Sequence, residues 1–205
     1  MSAFLGPIHY WLYNKILLQQ AIVDDICSLG TKYGLSIKEE CDDKYGGVDS
    51  KPLEEMIDHY NIHGWLQEKV SQAEYKYAYC VKTLLIKDLS LLNVLTGLLN
   101  TKGKELGEAV KETCTTAPLL FKVITDNLLD GMPCDHVNMI IENSDDRVVW
   151  KRSLCVHAGY WDEVGADISI YYRLREAWIS GLAEECGYCL QKVNSFTYSI
   201  ERLLK

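Results

Sequence analysis

Residues 134–150 read CDHVNMIIENSDDRVVW, and this stretch decides the fold class. Val137, Met139 and Ile141 recur at every second position, the period of a strand with one face turned to a core, and Arg147 to Trp150 is a second extended run. Asn143, Ser144 and Asp145 between them supply turn chemistry, so an antiparallel hairpin is expected. Further on, Tyr188 to Ile200 alternates loosely and reads as a strand returning beside that hairpin.

Upstream the period is helical. From Pro7 to Leu29 the apolar residues Leu12, Ile16, Val23 and Ile26 form one stripe, ended by Gly30 and Gly34. Cys41 to Ser50, with Gly46-Gly47 and three aspartates, reads as a loop. Ser50 is a candidate N-cap, Pro52 suits a first turn, and Glu54 and Glu55 suit the positive end of a helix dipole. The helix they start is expected to run to about Asn100, whole or broken near Gly64. Gly97, Gly103 and Gly107 read as punctuation, and Pro118 opens a helix from Leu119 to Leu129. Past the hairpin, Asp167 or Ser169 caps a helix with Ile170, Leu174, Ala177 and Gly181 on one face, ended by Gly187.

The class is therefore α+β. A helix-rich N-terminal two-thirds is expected to pack with a small antiparallel sheet and one further helix in the C-terminal third. With no repeat or linker in sight, residues 1–205 are read as a single domain, helical over about 1–131 and mixed over about 132–205.

A net charge of −8 opposes binding to nucleic-acid phosphates or anionic lipid surfaces. No uncharged stretch reaches the roughly 20 apolar residues that cross a bilayer, and the N-terminus lacks the basic start of a secretory signal. Residence in the cytoplasm is the expectation, with the eight cysteines as thiols. Cys27, Cys41, Cys80 and Cys114, isolated in sequence, are expected to pack as small hydrophobes.

The remaining cysteines come in short pairs with soft ligand atoms: Cys134-x-His136, Cys155-x-His157 and Cys186-x-x-Cys189. On strands, i and i+2 face one side, so each Cys-x-His pair presents a thiol and an imidazole together; Cys134 and His136, with Cys186 and Cys189 closing the site across the loop at Gly187, are candidate ligands for zinc, iron or an iron–sulfur cluster. Glu55, His59 and His63 repeat every four residues and form a second candidate metal set on one helix face, with both histidines inward. His9 is a possible third nitrogen donor if the first helix packs alongside. An alternative use of the pairs is nucleophilic: Cys155 as attacking thiol and His157 as its base, oriented by Asp135 or Asp162. Glu184 and Glu185 argue against a redox-active Cys186/Cys189 dithiol, since nearby negative charge raises thiol pKa values. Tyr171 and Trp178 are candidates for lining a cofactor or small-molecule pocket.

The functional expectation is a cytosolic metal- or metallocofactor-binding protein with Cys/His ligands that acts on a small molecule. The alternatives are a metal-free cysteine-nucleophile hydrolase or transferase, and a non-catalytic ligand-sensing or interaction module, the last as a homodimer. Whether the chain is an enzyme is left open by its sequence.

Overall fold

The computed structural model describes residues 4–49 and 51–203, so the Ser50 N-cap expected from sequence lies outside the described residues. Among those residues the chain forms eight α-helices and one four-stranded antiparallel sheet, an α+β arrangement. It folds as two compact units, each assembled from three pieces of chain.

The first unit takes residues 1–89, 127–134 and 157–166. It contains α1 (Pro7–Lys32), α2 (Ile37–Tyr45), the short α3 (Leu53–Met56), α4 (Ile62–Lys87) and α7 (Ala158–Val164). Pro7 opens α1, where its missing N–H costs nothing, and His9 Nδ1 accepts the Gly6 N–H at 2.9 Å. Helices α1 and α4 run in the same direction: Tyr13 meets Trp65, Gln19 meets Glu74 and Cys27 meets Cys80 in order along both. Leu12, Tyr13 and Ile16 of α1 pack with Ile62, Leu66, Val70 and Ala73 of α4, and Leu53, Ile57 and Leu129 complete this core.

Two expectations need correction here. Cys41 to Tyr45 is the end of α2, not a loop, because Ile37 and Cys41, one turn apart, both bury. The chain leaves that helix at Gly46, whose φ of +86° suits glycine. The helix expected to continue from residue 50 stops at Met56. Asp58 Oδ1 accepts the Tyr60 N–H at 2.8 Å and Asn61 Oδ1 accepts the Gly64 N–H at 3.1 Å, so these side chains satisfy backbone donors that a continuous helix would use itself. Asn61 then caps α4.

The second unit takes residues 90–126, 135–156 and 167–205. Its helices are α5 (Leu91–Val110), α6 (Ala117–Asn127, all but its last residue) and α8 (Ile168–Glu185). Its strands are β1 (Asn138–Asn143), β2 (Arg147–Arg152), β3 (Tyr188–Lys192) and β4 (Thr197–Arg202), in the order β1-β2-β4-β3. The hairpin expected from residues 134–150 is β1–β2. The stretch expected to form one returning strand is instead a second hairpin, turned by Asn194, whose Oδ1 accepts the N–H groups of Phe196 and Thr197. Val148 faces Ile200 and Trp150 faces Tyr198 across β2 and β4, and Phe121 of α6 covers Trp150 with ring centres 5.0 Å apart. β1 lies at the sheet edge, and Met139, Ile140 and Ile141 are exposed instead of facing a core; a register shift between Ile140 and Glu142 accompanies this.

Gly97, Gly103 and Gly107 do not punctuate the chain but sit inside α5. A side chain added at Gly103 would lie 2.0 Å from the Trp178 carbonyl oxygen, and one at Gly181 would lie 2.1 Å from that of Asn100. The glycines let the backbones of α5 and α8 touch.

Candidate functional site

Two features of the first unit concentrate chemistry. One is a groove of about 260 Å³ between α1, α3, α4 and the segment that follows α2. Tyr13, Ile16 and Ala73 are its buried apolar lining, Met56 and Trp65 are half-buried, and Gln20, Gln72, Lys69 and Glu55 add polar groups. Gln72 Nε2 donates to the carbonyls of Tyr45 and Gly46 at 2.7 and 3.0 Å, which fixes the segment forming one lip. On that lip, Lys51 pairs with Asp49 at 3.3 Å. Lys69 reaches Gln72 Oε1 at 3.2 Å with its ammonium 5.4 Å from the Trp65 ring centre. Burial and, behind it, the charge of Asp49 raise the pKa of Tyr13, which stays a neutral phenol.

The other feature is a buried acid–imidazole centre. His157 and Glu74 are each 1% exposed. Glu74 Oε2 lies 3.1 Å from His157 Nδ1, Asp130 Oδ1 lies 3.5 Å from Nε2, and Gln19 donates to Glu74 Oε1 at 3.2 Å. Burial by itself would lower the imidazole pKa. The charge of Glu74, with Asp130 on the other side of the ring, outweighs it and lifts the value to about 9, so the ring is imidazolium at neutral pH. The centre is built from three stretches of chain: α4, the 127–134 segment and the residue capping α7.

This geometry alters the expected role of His157. Both ring nitrogens face carboxylates, so neither is available as a general base for a thiol. Cys155 belongs to the second unit, half-buried, and accepts the Tyr172 hydroxyl at 3.0 Å. Arg152 stacks on the Tyr172 ring at 3.6 Å.

The ladder of Glu55, His59 and His63 is not on one helix. Glu55 is in α3, His59 in the turn and His63 in the first turn of α4, and all three are exposed. His59 Nε2 contacts the Glu54 carbonyl at 3.0 Å, so the inward orientation expected for the pair is overturned by the turn at Asp58 and Asn61. His9 does reach His63, with ring centres 5.5 Å apart at 76°, but its Nδ1 is taken by Gly6.

Cys134 is exposed in a short 3₁₀ turn, and His136, also exposed, takes a φ of +47°, outside the strand geometry that would align the two. Cys186 is the C-cap of α8 and approaches the Gly107 carbonyl at 3.9 Å, while Cys189 is half-buried on β3. Tyr171 and Trp178 are buried in α8, Tyr171 edge-on to Tyr172. Among the described residues no group of three or more His, Cys, Asp or Glu side chains is arranged to hold a metal ion. No helix among them is long and apolar enough to cross a membrane.

Sequence reading missed Glu74, Asp130 and Gln19. A signal existed for two of them: Gln19 interrupts the stripe Leu12, Ile16, Val23, and Glu74 lies one helical turn from both Val70 and Ala78, all buried. A charged residue in an apolar stripe must be paired where it buries. Comparison with family models, with curated proteins and with solved structures finds no match for this chain.

Proposed function

We propose that this chain is a small-molecule binding protein whose ligand occupies the groove of the first unit. The observation that carries the reading is a concave site that joins an aromatic and aliphatic lining, Tyr13, Ile16, Met56 and Trp65, to the ammonium of Lys69. Lys51 already has Asp49 as its counter-ion, whereas Lys69 is bonded to the neutral amide of Gln72. The ligand that fits is amphipathic, with an apolar or aromatic body on Trp65 and an anionic group on Lys69.

The fluorescent probe 1-anilinonaphthalene-8-sulfonate has both parts. It is expected to bind the native protein at one saturable site. Trp65→Ala and Lys69→Glu should each weaken that binding by about tenfold, which is 1.4 kcal/mol, while Lys192→Glu on β3 leaves it unchanged. Equal affinities for all four proteins, read by fluorescence titration, would reject the groove as the site.

A second reading is favoured by the Tyr172 hydroxyl bonded to Cys155. In this reading the Tyr172 hydroxyl, donating to Cys155 Sγ, holds the sulfur in place as a nucleophile with tyrosine assistance instead of histidine. Burial pushes the Cys186 thiol up to about 12. Iodoacetamide at neutral pH should therefore alkylate Cys155 at least about tenfold faster than Cys186, and Tyr172→Phe should slow the Cys155 reaction. Similar rates at both cysteines by peptide mass spectrometry would dismiss this reading.

A further inference from the structure

Three cysteines that are far apart in sequence meet in the interior of the first unit. Cys27 of α1, Cys41 of α2 and Cys80 of α4 are 4%, 1% and 0% exposed. Cys80 Sγ lies 3.6 Å from Cys27 Sγ and 3.6 Å from Cys41 Sγ, so the middle thiol touches both others. No disulfide joins any of them. Sulfur atoms in van der Waals contact need only a small side-chain movement to reach the 2.0 Å of a disulfide, and a thiol beside a disulfide is placed for exchange with it.

We propose that these residues form an oxidation site at which one disulfide forms at Cys80 and passes between Cys27 and Cys41. The oxidant is a small peroxide. The Cys27 thiol attacks the peroxide O–O bond to give a sulfenic acid and one molecule of water or alcohol. The Cys80 thiol then displaces the hydroxyl from sulfur, which forms the Cys27–Cys80 bond and releases water. Exchange follows when the Cys41 sulfur attacks Cys80 Sγ: the Cys41–Cys80 bond forms, the Cys27–Cys80 bond breaks, and Cys27 takes the proton that Cys41 gives up. The contact with Cys80 lowers the Cys27 pKa, which together with the placement of Cys27 against the middle thiol supports Cys27 as the first thiol to react.

The two bonds have different mechanical results. A Cys27–Cys80 bond ties α1 to α4, whereas a Cys41–Cys80 bond ties α2 to α4. The end of α2 leads directly into Gly47, Val48 and Asp49, one lip of the groove, so the second bond anchors the helix that carries that lip. The oxidation chemistry itself does not depend on what the groove binds.

The test is brief treatment of the native 205-residue chain with hydrogen peroxide, acid quenching, alkylation of the remaining thiols and peptide mapping without reduction. Cross-linked peptides should contain Cys80 joined to Cys27 or Cys41. Cys41→Ala should yield Cys27–Cys80, Cys27→Ala should yield Cys41–Cys80, and Cys80→Ala should lower the yield of internal disulfide at this site by at least about tenfold. The proposal is overturned if exposed Cys134 oxidises while all three buried thiols stay reduced. It is equally overturned if Cys27 and Cys41 join at the wild-type yield without Cys80. The Cys27 and Cys41 variants keep the test decisive should the Cys80 variant fold poorly.

Discussion

Gly181→Ala should cost the second unit about 3 kcal/mol, and Gly103→Ala a similar amount, read as loss of unfolding free energy in urea. Two effects of opposite sign compete. Alanine is favoured over glycine in a helix interior by about 1 kcal/mol. Against this, the added methyl group meets a backbone carbonyl oxygen of the other helix at 2.1 Å for Gly181 and 2.0 Å for Gly103. A flexible side chain would move aside, but a helix backbone moves only with the whole helix, and with it the Asn100 to Ala177 hydrogen bond. Overpacking therefore wins. Gly97 supplies the control: it lies in the same helix, exposed, with nothing near an added methyl group, so Gly97→Ala should stabilise by up to about 1 kcal/mol. If all three variants were equally stable, the close contact of α5 and α8 would be disproved.

His157 gives the second large effect. His157→Ala removes the cation between two carboxylates, one of them 1% exposed, and uncompensated buried charge costs about 3–5 kcal/mol. The same group makes stability depend on pH, with a sign that follows from its raised pKa. The folded value is about 9 against 6.5 for the free side chain, so folding favours the protonated ring. The resulting stabilisation is fully present below pH 6.5 and is lost as pH rises through about 9, in total roughly 3 kcal/mol. Lysines, tyrosines and thiols also titrate at high pH, so the measurement is the difference between wild type and His157→Gln, followed by urea unfolding from pH 6 to 10. That difference should shrink as pH rises. A constant difference would mean that the imidazole is not charged in the folded protein.

Much of the fold was legible before any coordinates. The α1 stripe, the hairpin at 134–150 and the Asp167 cap are local patterns, and each is found where spacing puts it; Asp167 Oδ1 accepts the Ser169 N–H at 2.8 Å. The misreadings also have local causes. Asp58 and Asn61 break a helix whose apolar spacing continues through the break, and Gly103 and Gly107 look like helix breakers because glycine signals both a stop and a close approach. Distinguishing the two requires knowing which backbone lies opposite.

The candidate sites were much less legible. His157 attracted notice for its closeness to Cys155 along the chain, yet its ring answers to Glu74 and Asp130, and the isolated Cys27, Cys41 and Cys80 are the thiols that meet. By itself, the order of residues determined which segments are mainly helical and which extend, because amphipathic spacing acts within a few residues, but it misplaced several ends: Gly30 lies inside α1, and the helix expected from residue 50 to about 100 is three helices. Tertiary structure alone decided which ionisable and sulfur-bearing groups share one environment. Such groups interact over about 4 Å of space whatever their separation along the chain, and the return of residues 127–134 and 157–166 to the first unit is set by burial of whole helices, which no short pattern encodes.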